Sequence, residues 1–443
     1  MLDVIGGSFT QCDGWSRREV LRVGALAMGG LTLPGLLQRK AFARRQGGDT
    51  NDLAVIHIFM GGGPSHIDMY DLKPDAPLEI RGEFHGIPTT LPGVHFCEHL
   101  PLLARSTDRL AIVRSITHTN SAHLPSSHLV LTGYEPQVAP PYGQNLNPYP
   151  GAVLARLRGP NAPGLPPYVA LHRKISYGGA AFLGQAYEPF DTGTEPNDHD
   201  FTVQDLNRLP SVPAERLATR DGLVREFDRM RRDLDLHGDM QAADAYFQEA
   251  MALVTSQRAA RAFDIEREPA TVRERYGRTS IGQNCLLARR LVEAGVTFVS
   301  CRTGLAFDTH VKNFPQMREM LPVFDQAVSA LVNDIYERGL AERVLVMAFG
   351  EFGRTPRINR DGGRDHWPGA AAALFAGGGL KVGQVVGSTD SHAAFPTSAP
   401  YTPRDVLATL YHLMDVDPSQ VFYDDQGRPM PVLPDGKPIR ELL

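Results

Sequence analysis

Cysteine is scarce. The 443 residues hold four: Cys12, Cys97, Cys285 and Cys301. Their spacing matches no zinc ribbon or redox pair, and the last three cannot all pair with one another, so a disulfide framework is not expected. Cys285 and Cys301 lie in apolar runs and are expected to be buried free thiols. A strong charge of one sign is also missing. The net charge of -5 provides no basic surface for nucleic acid or anionic lipid. Near the N-terminus, the uncharged run at 23–37 falls short of the roughly 20 residues that cross a bilayer as a helix. There is no internal repeat, heptad pattern or long low-complexity tract, which removes solenoids and coiled coils.

Glycine (43) and proline (34) are plentiful and gather in loops, as expected of strands and helices joined by long connections. The N-terminal segment is patterned as an address. Ser16-Arg17-Arg18-Glu19-Val20-Leu21-Arg22 precedes the run at 23–37, rich in Gly, Ala and Leu, and Ala41-Phe42-Ala43 has the small-x-small form of a cleavage site. Paired arginines before a mildly hydrophobic run resemble the twin-arginine signal, which is read by a receptor. Residues 1–43 are therefore expected to be a leader handled by the twin-arginine export machinery. The mature chain, 44–443, is expected outside the cytoplasm, periplasmic or extracytoplasmic, with no stable membrane insertion after cleavage.

In the mature chain, 53–60 is a nearly continuous apolar run with β-branched residues, ending in Gly61-Gly62-Gly63-Pro64. A parallel strand covered by helices on both faces has this pattern. Shorter runs of the same kind lie at 110–113, 296–301, 344–349 and 371–375. Between them, 281–293 is apolar on one face with Ser280 or Thr279 as cap, 314–338 reads as one long helix that Pro322 would interrupt, and 403–413 begins with proline behind Thr402. Helix, glycine and strand recur, which marks an α/β layer fold. Two stretches differ. Residues 134–212 have little period and are expected as irregular loops over the sheet edge. Residues 213–268 are charged and helical, expected as a helical insertion in a single domain.

Metal-capable side chains collect after the strands. Ser65-His66-Ile67-Asp68 follows the glycine loop, and a histidine-rich segment runs from His118 through Ser121 and His123 to His128. Asp308-Thr309-His310 follows the run ending at Cys301. Glu351-Phe352-Gly353-Arg354 follows the run ending at Phe349, with Arg364-Asp365-His366 beyond it. Open α/β sheets bind ligands beyond the carboxyl ends of their strands. Carboxylates and imidazoles are ordinary ligands for a divalent metal. Arg354 and Arg364 are natural bidentate partners for an oxyanion, or alternatively for the carboxylates themselves.

These motifs together resemble the DUF1501 family. The resemblance rests on the arginine pair, Phe59-Met60-Gly61-Gly62-Gly63-Pro64-Ser65-His66-Ile67-Asp68, His118 through Thr132-Gly133, and Asp308-Thr309-His310. Glu351-Phe352-Gly353-Arg354-Thr355-Pro356, Gly363-Arg364-Asp365-His366-Trp367 and Tyr401-Thr402-Pro403-Arg404-Asp405-Val406 complete it. The family is similar to the alkaline phosphatase and sulfatase superfamily. The resemblance implies an alkaline-phosphatase-like α/β fold, a large mixed and mostly parallel sheet sandwiched between helices, with a bimetal or single-metal site whose ligands are Asp68, Asp308, His310, Glu351 and His366. Of zinc, manganese and iron, all of which such ligands suit, zinc or manganese is the expected metal. It implies a small anionic phosphate or sulfate ester as substrate. The sulfatase nucleophile slot falls on His123, in His123-Leu124-Pro125-Ser126-Ser127, with Ser127 where the supporting arginine would stand. The catalytic set is thus His123 or the nearby Ser121, attacking or orienting a metal-bound water, with Arg354 and Arg364 steadying the anion; His123 is alternatively a metal ligand. The missing standard nucleophile leaves open an alternative, a non-catalytic binding or assembly protein on the same scaffold.

Overall fold

The computed structural model describes residues 52–136, 144–199, 201–203 and 256–443. The leader at 1–43 and residues 213–255 of the charged helical stretch lie outside the described residues. Eight strands form the main sheet. They are β1 (Ala54–Phe59), β2 (Leu110–Ile116), β3 (Tyr168–Leu171), β4 (Phe190–Asp191), β5 (Phe298–Arg302), β6 (Val344–Phe349), β7 (Ala371–Gly377) and β8 (Gln384–Val386). Their order across the sheet is β8-β2-β7-β6-β1-β5-β3-β4. Neighbours are parallel except for the two pairs made by β7. The fold is α/β, a mixed and mostly parallel sheet.

The nearly continuous apolar pattern of β1, interrupted by His57, has a simple cause: both of its faces are covered. Ala54, Ile56 and Ile58 belong to one core, with helices α3 (Ser280–Ala294) and α4 (Asn313–Glu337). Val55 and Phe59 belong to the other, with α1 (His123–Thr132), α2 (Pro150–Leu157) and α5 (Pro403–Leu413). The Thr279 hydroxyl caps α3 by accepting from Gly282 N, and Thr402 and Asp405 close a capping box on α5. α4 runs through Pro322 without a break. Pro322 and Arg318 lie on its exposed face, where the carbonyl that loses its partner meets water. Cys97, Cys285 and Cys301 are buried free thiols. No described helix is long and apolar enough to cross a membrane.

The stretch expected as loops over the sheet edge supplies that edge instead. Within 134–212, α2 packs on the sheet while β3 and β4 extend it beyond β5. Strands of four and two residues are too short to display a period, and the surrounding prolines and glycines concealed them. From 213–268, the described part includes a helix at Gln257–Phe263.

Candidate metal centre

β1, β5 and β6 are adjacent and parallel, so the segments leaving their carboxyl ends emerge together. After β1, Gly62 takes a φ of +103°, and a Cβ there would come within 2.6 Å of Asp308 N. Glycine at this position lets the loops after β1 and β5 touch. The Gly62 N–H then donates to both oxygens of Glu351, at 2.9 and 3.2 Å. Glu351 lies just past β6 and is buried. A short antiparallel ribbon sets His366 opposite Arg354. His123 occupies the first turn of α1.

Four side chains converge on one spot. Asp308 Oδ1 lies 3.2 Å from His310 Nε2 and 3.2 Å from His366 Nε2. Its Oδ2 lies 3.3 Å from His123 Nε2, and the two nitrogens His310 Nε2 and His366 Nε2 are 2.9 Å apart. Ligand atoms of His123, Asp308 and His366 all fall within 4.8 Å of one another, the spacing of a group able to hold a metal ion.

The far sides of the rings decide what those nitrogens carry. His123 Nδ1 faces Glu351 Oε1 at 2.7 Å, His310 Nδ1 faces Asp365 Oδ1 at 2.7 Å, and His366 Nδ1 faces the Ser121 carbonyl at 2.7 Å. A carboxylate or a carbonyl only accepts, so each Nδ1 carries a proton, and a ring in its neutral form offers its Nε2 lone pair inward. In that form three lone pairs and the Asp308 carboxylate face one point, a donor set that a cation would satisfy. Outer acceptors on the far nitrogens of converging histidines are the usual support of a metal site. By this donor chemistry the residues fit a divalent metal.

Charge at the spot is balanced by burial and neighbours. Burial would raise the Asp308 carboxyl, but the Arg354 hydrogen bond and charge, with His123 and His366, outweigh it and hold it down at about 2. The Glu351 hydrogen bond raises the His123 pKa against the pull of burial. Burial lowers that of His366.

A sequence profile described as "Protein of unknown function (DUF1501)" matches residues 52–443. The chain belongs to the DUF1501 family. No curated protein matches it. Among solved structures it is similar to the PsFucS1 sulfatase from Pseudoalteromonas sp., at 14% identity and a TM-score of 0.36, over 86% of this chain and 71% of that one. It is also similar to the phosphonate monoester hydrolase SpPMH from Silicibacter pomeroyi, at 11% identity and a TM-score of 0.34, over 88% and 76%. The lipoteichoic acid synthase LtaP from Listeria monocytogenes gives 9% and 0.36, over 83% and 72%. Likeness at this level says nothing about chemistry.

In this DUF1501 chain the residues singled out by sequence separate into two groups. Asp308, His310, His366 and His123 come together, with Glu351 behind His123 and Ser121 exposed beside His366. Asp68 is engaged elsewhere. It is buried against Arg364 (2.7 and 2.9 Å), Asn313 Nδ2 (2.9 Å) and Ser65 Oγ (2.6 Å). Arg364 is fully buried and also donates to the carbonyls of Ile80, Thr355 and Pro356. Arg354, equally buried, donates to the carbonyls of Gly62, Gly63 and Arg364 and to Asp308 at 2.6 Å. Both guanidiniums hold loops and carboxylates. Sequence reasoning passed over Asp365 and Asn359. Asp365 stands inside a quoted motif, next to His366, and that adjacency was the signal available.

Proposed function

We propose that His123, Asp308, His310 and His366 hold one divalent cation, zinc or manganese, and that the protein is an exported metal-dependent hydrolase of a phosphate or sulfate ester. The observation that carries this reading is the convergence of three Nε2 atoms on Asp308, each ring fixed from behind by a separate acceptor. A cation held there supplies Lewis-acid polarisation of an ester oxygen. Arg354 keeps Asp308 ionised and aimed inward. Glu351, pinned by Gly62, sets the tautomer of His123, and the Ser121 carbonyl sets that of His366. Both ring nitrogens of His123 are engaged, so attack on the ester falls to the exposed Ser121 or to water. The twin-arginine pattern at 16–22 supports export to the periplasm.

The test is hydrolysis of aryl phosphate, phosphodiester and sulfate probes by zinc- or manganese-loaded protein, with His366→Ala as control. Turnover that the variant loses supports the proposal. Metal-loaded protein inert toward every probe removes the ester hydrolase.

A second reading, a non-catalytic binding or assembly protein, is favoured by the two arginines. Each is fully buried, with its donors on protein oxygens, so neither faces a bound anion. This reading predicts a stable partner recovered from native extracts together with inert, metal-loaded protein.

A further inference from the structure

The three histidines are not anchored alike. Behind His123 stands a buried carboxylate, and behind His366 a backbone carbonyl. Behind His310 stands Asp365, a carboxylate whose side chain is 52% exposed, facing a ring that is 41% exposed. An exposed His–Asp contact on its own is weak, because water competes for both partners. Here the surroundings fix it. The Asp365 backbone exchanges hydrogen bonds with Thr355, N–H to Oγ1 at 2.9 Å and carbonyl from the Thr355 N–H at 2.9 Å. Asn359 clips the two loops together: its Nδ2 donates to the His310 carbonyl at 2.8 Å and to Asp365 Oδ1 at 3.2 Å. The Asn359 Oδ1 accepts from the N–H groups of Asp361 and Gly363, at 3.0 and 2.9 Å, which sets the orientation of the amide. Gly363 packs so closely on the His310 carbonyl that a Cβ would overlap it.

We propose that Asp365, held by Asn359, is the positioning residue that makes His310 a metal ligand, by keeping the proton on Nδ1 and the Nε2 lone pair on the shared spot. The inference rests on the single-cation reading above. Without an acceptor behind it, an exposed imidazole places its proton on either nitrogen and turns freely. A proton on Nε2 would point at the space the cation needs. Outer acceptors of this kind are typically worth about 10–100-fold in metal affinity.

The experiment is a zinc titration of the metal-stripped full chain by calorimetry, repeated with cobalt followed by its visible absorption. The proteins are wild type, Asp365→Ala, Asp365→Asn, His310→Ala and the double variant Asp365→Ala/His310→Ala. Asp365→Ala is expected to weaken zinc binding about 10–100-fold, with the melting temperature of the metal-free protein unchanged. Asp365→Asn, which still offers an amide oxygen to Nδ1, is expected to recover part of the loss. On the His310→Ala background, Asp365→Ala is expected to cost nothing further. Wild-type affinity in Asp365→Ala overturns this inference and leaves the cation in place. So does an undiminished loss on the His310→Ala background, which would mean that Asp365 acts through its charge alone. If the wild-type chain takes up neither metal, this inference and the cation reading both fall.

Discussion

His57 offers a stability prediction that does not depend on the metal centre. It sits mid-strand in β1, 2% exposed, stacked on Phe349 at 4.5 Å, with Nδ1 on the Tyr149 hydroxyl and Nε2 buried without a partner among the described residues. Burial lowers its pKa from 6.5 to about 3, because no counter-charge stabilises the imidazolium there. The unfolded chain therefore takes up this proton first as the pH falls. His57 contributes its full stability above pH 6.5 and loses it as the pH drops from 6.5 toward 3. The loss approaches about 1.4 kcal/mol per pH unit below 6.5 and sums to about 3 kcal/mol between pH 7 and 4.5, a large part of the roughly 5–15 kcal/mol that holds a typical domain together. His57→Gln keeps a group that can bond Tyr149 but does not titrate. Urea unfolding of metal-free wild type and variant at pH 7 and 4.5 isolates the effect. The variant starts lower at pH 7, through poorer packing, but should lose about 3 kcal/mol less on acidification. Parallel losses in the two proteins would refute the argument.

Three other substitutions address the loops around the centre. Gly62→Ala places a Cβ 2.6 Å from Asp308 N at a φ of +103°; it should destabilise by at least about 1–3 kcal/mol and weaken zinc binding, read by urea unfolding and calorimetry. Arg364→Met strands the buried Asp68 carboxylate and should cost about 3–5 kcal/mol in the same unfolding assay; a loss below 1 kcal/mol would show that Ser65 and Asn313 suffice. Glu351→Gln turns an amide N–H₂ toward the Gly62 N–H or the His123 Nδ1–H, and should lower zinc affinity about 10–100-fold while one metal per chain is still bound at saturation. A complete loss of stoichiometry in that variant would make Glu351 a ligand itself.

Much of the scaffold could be read in advance because burial on both faces leaves a continuous apolar trace, as in β1 and β6. β3 and β4 left none, being short and set among prolines and glycines. At the centre, the rule that ligands gather beyond strand ends brought Asp308, His310, Glu351 and His366 into view. It could not assign their roles. The pairing of Asp68 with Arg364 spans 296 positions and depends on Asn313 and Ser65 arriving at the same place. The nucleophile slot of the resemblance fell on His123, yet its ring nitrogens lie against Glu351 and Asp308. Which side of an imidazole faces an acceptor is a property of the assembled loops, and that property separates a ligand from its support.

The most direct measurement is anomalous diffraction from crystals of the full chain grown with zinc or manganese. One strong anomalous peak is expected among His123, Asp308, His310 and His366, and none between Asp68 and Arg364. Crystals showing no peak at the four-residue centre, from protein that also gives no thermal shift with either metal, would contradict it.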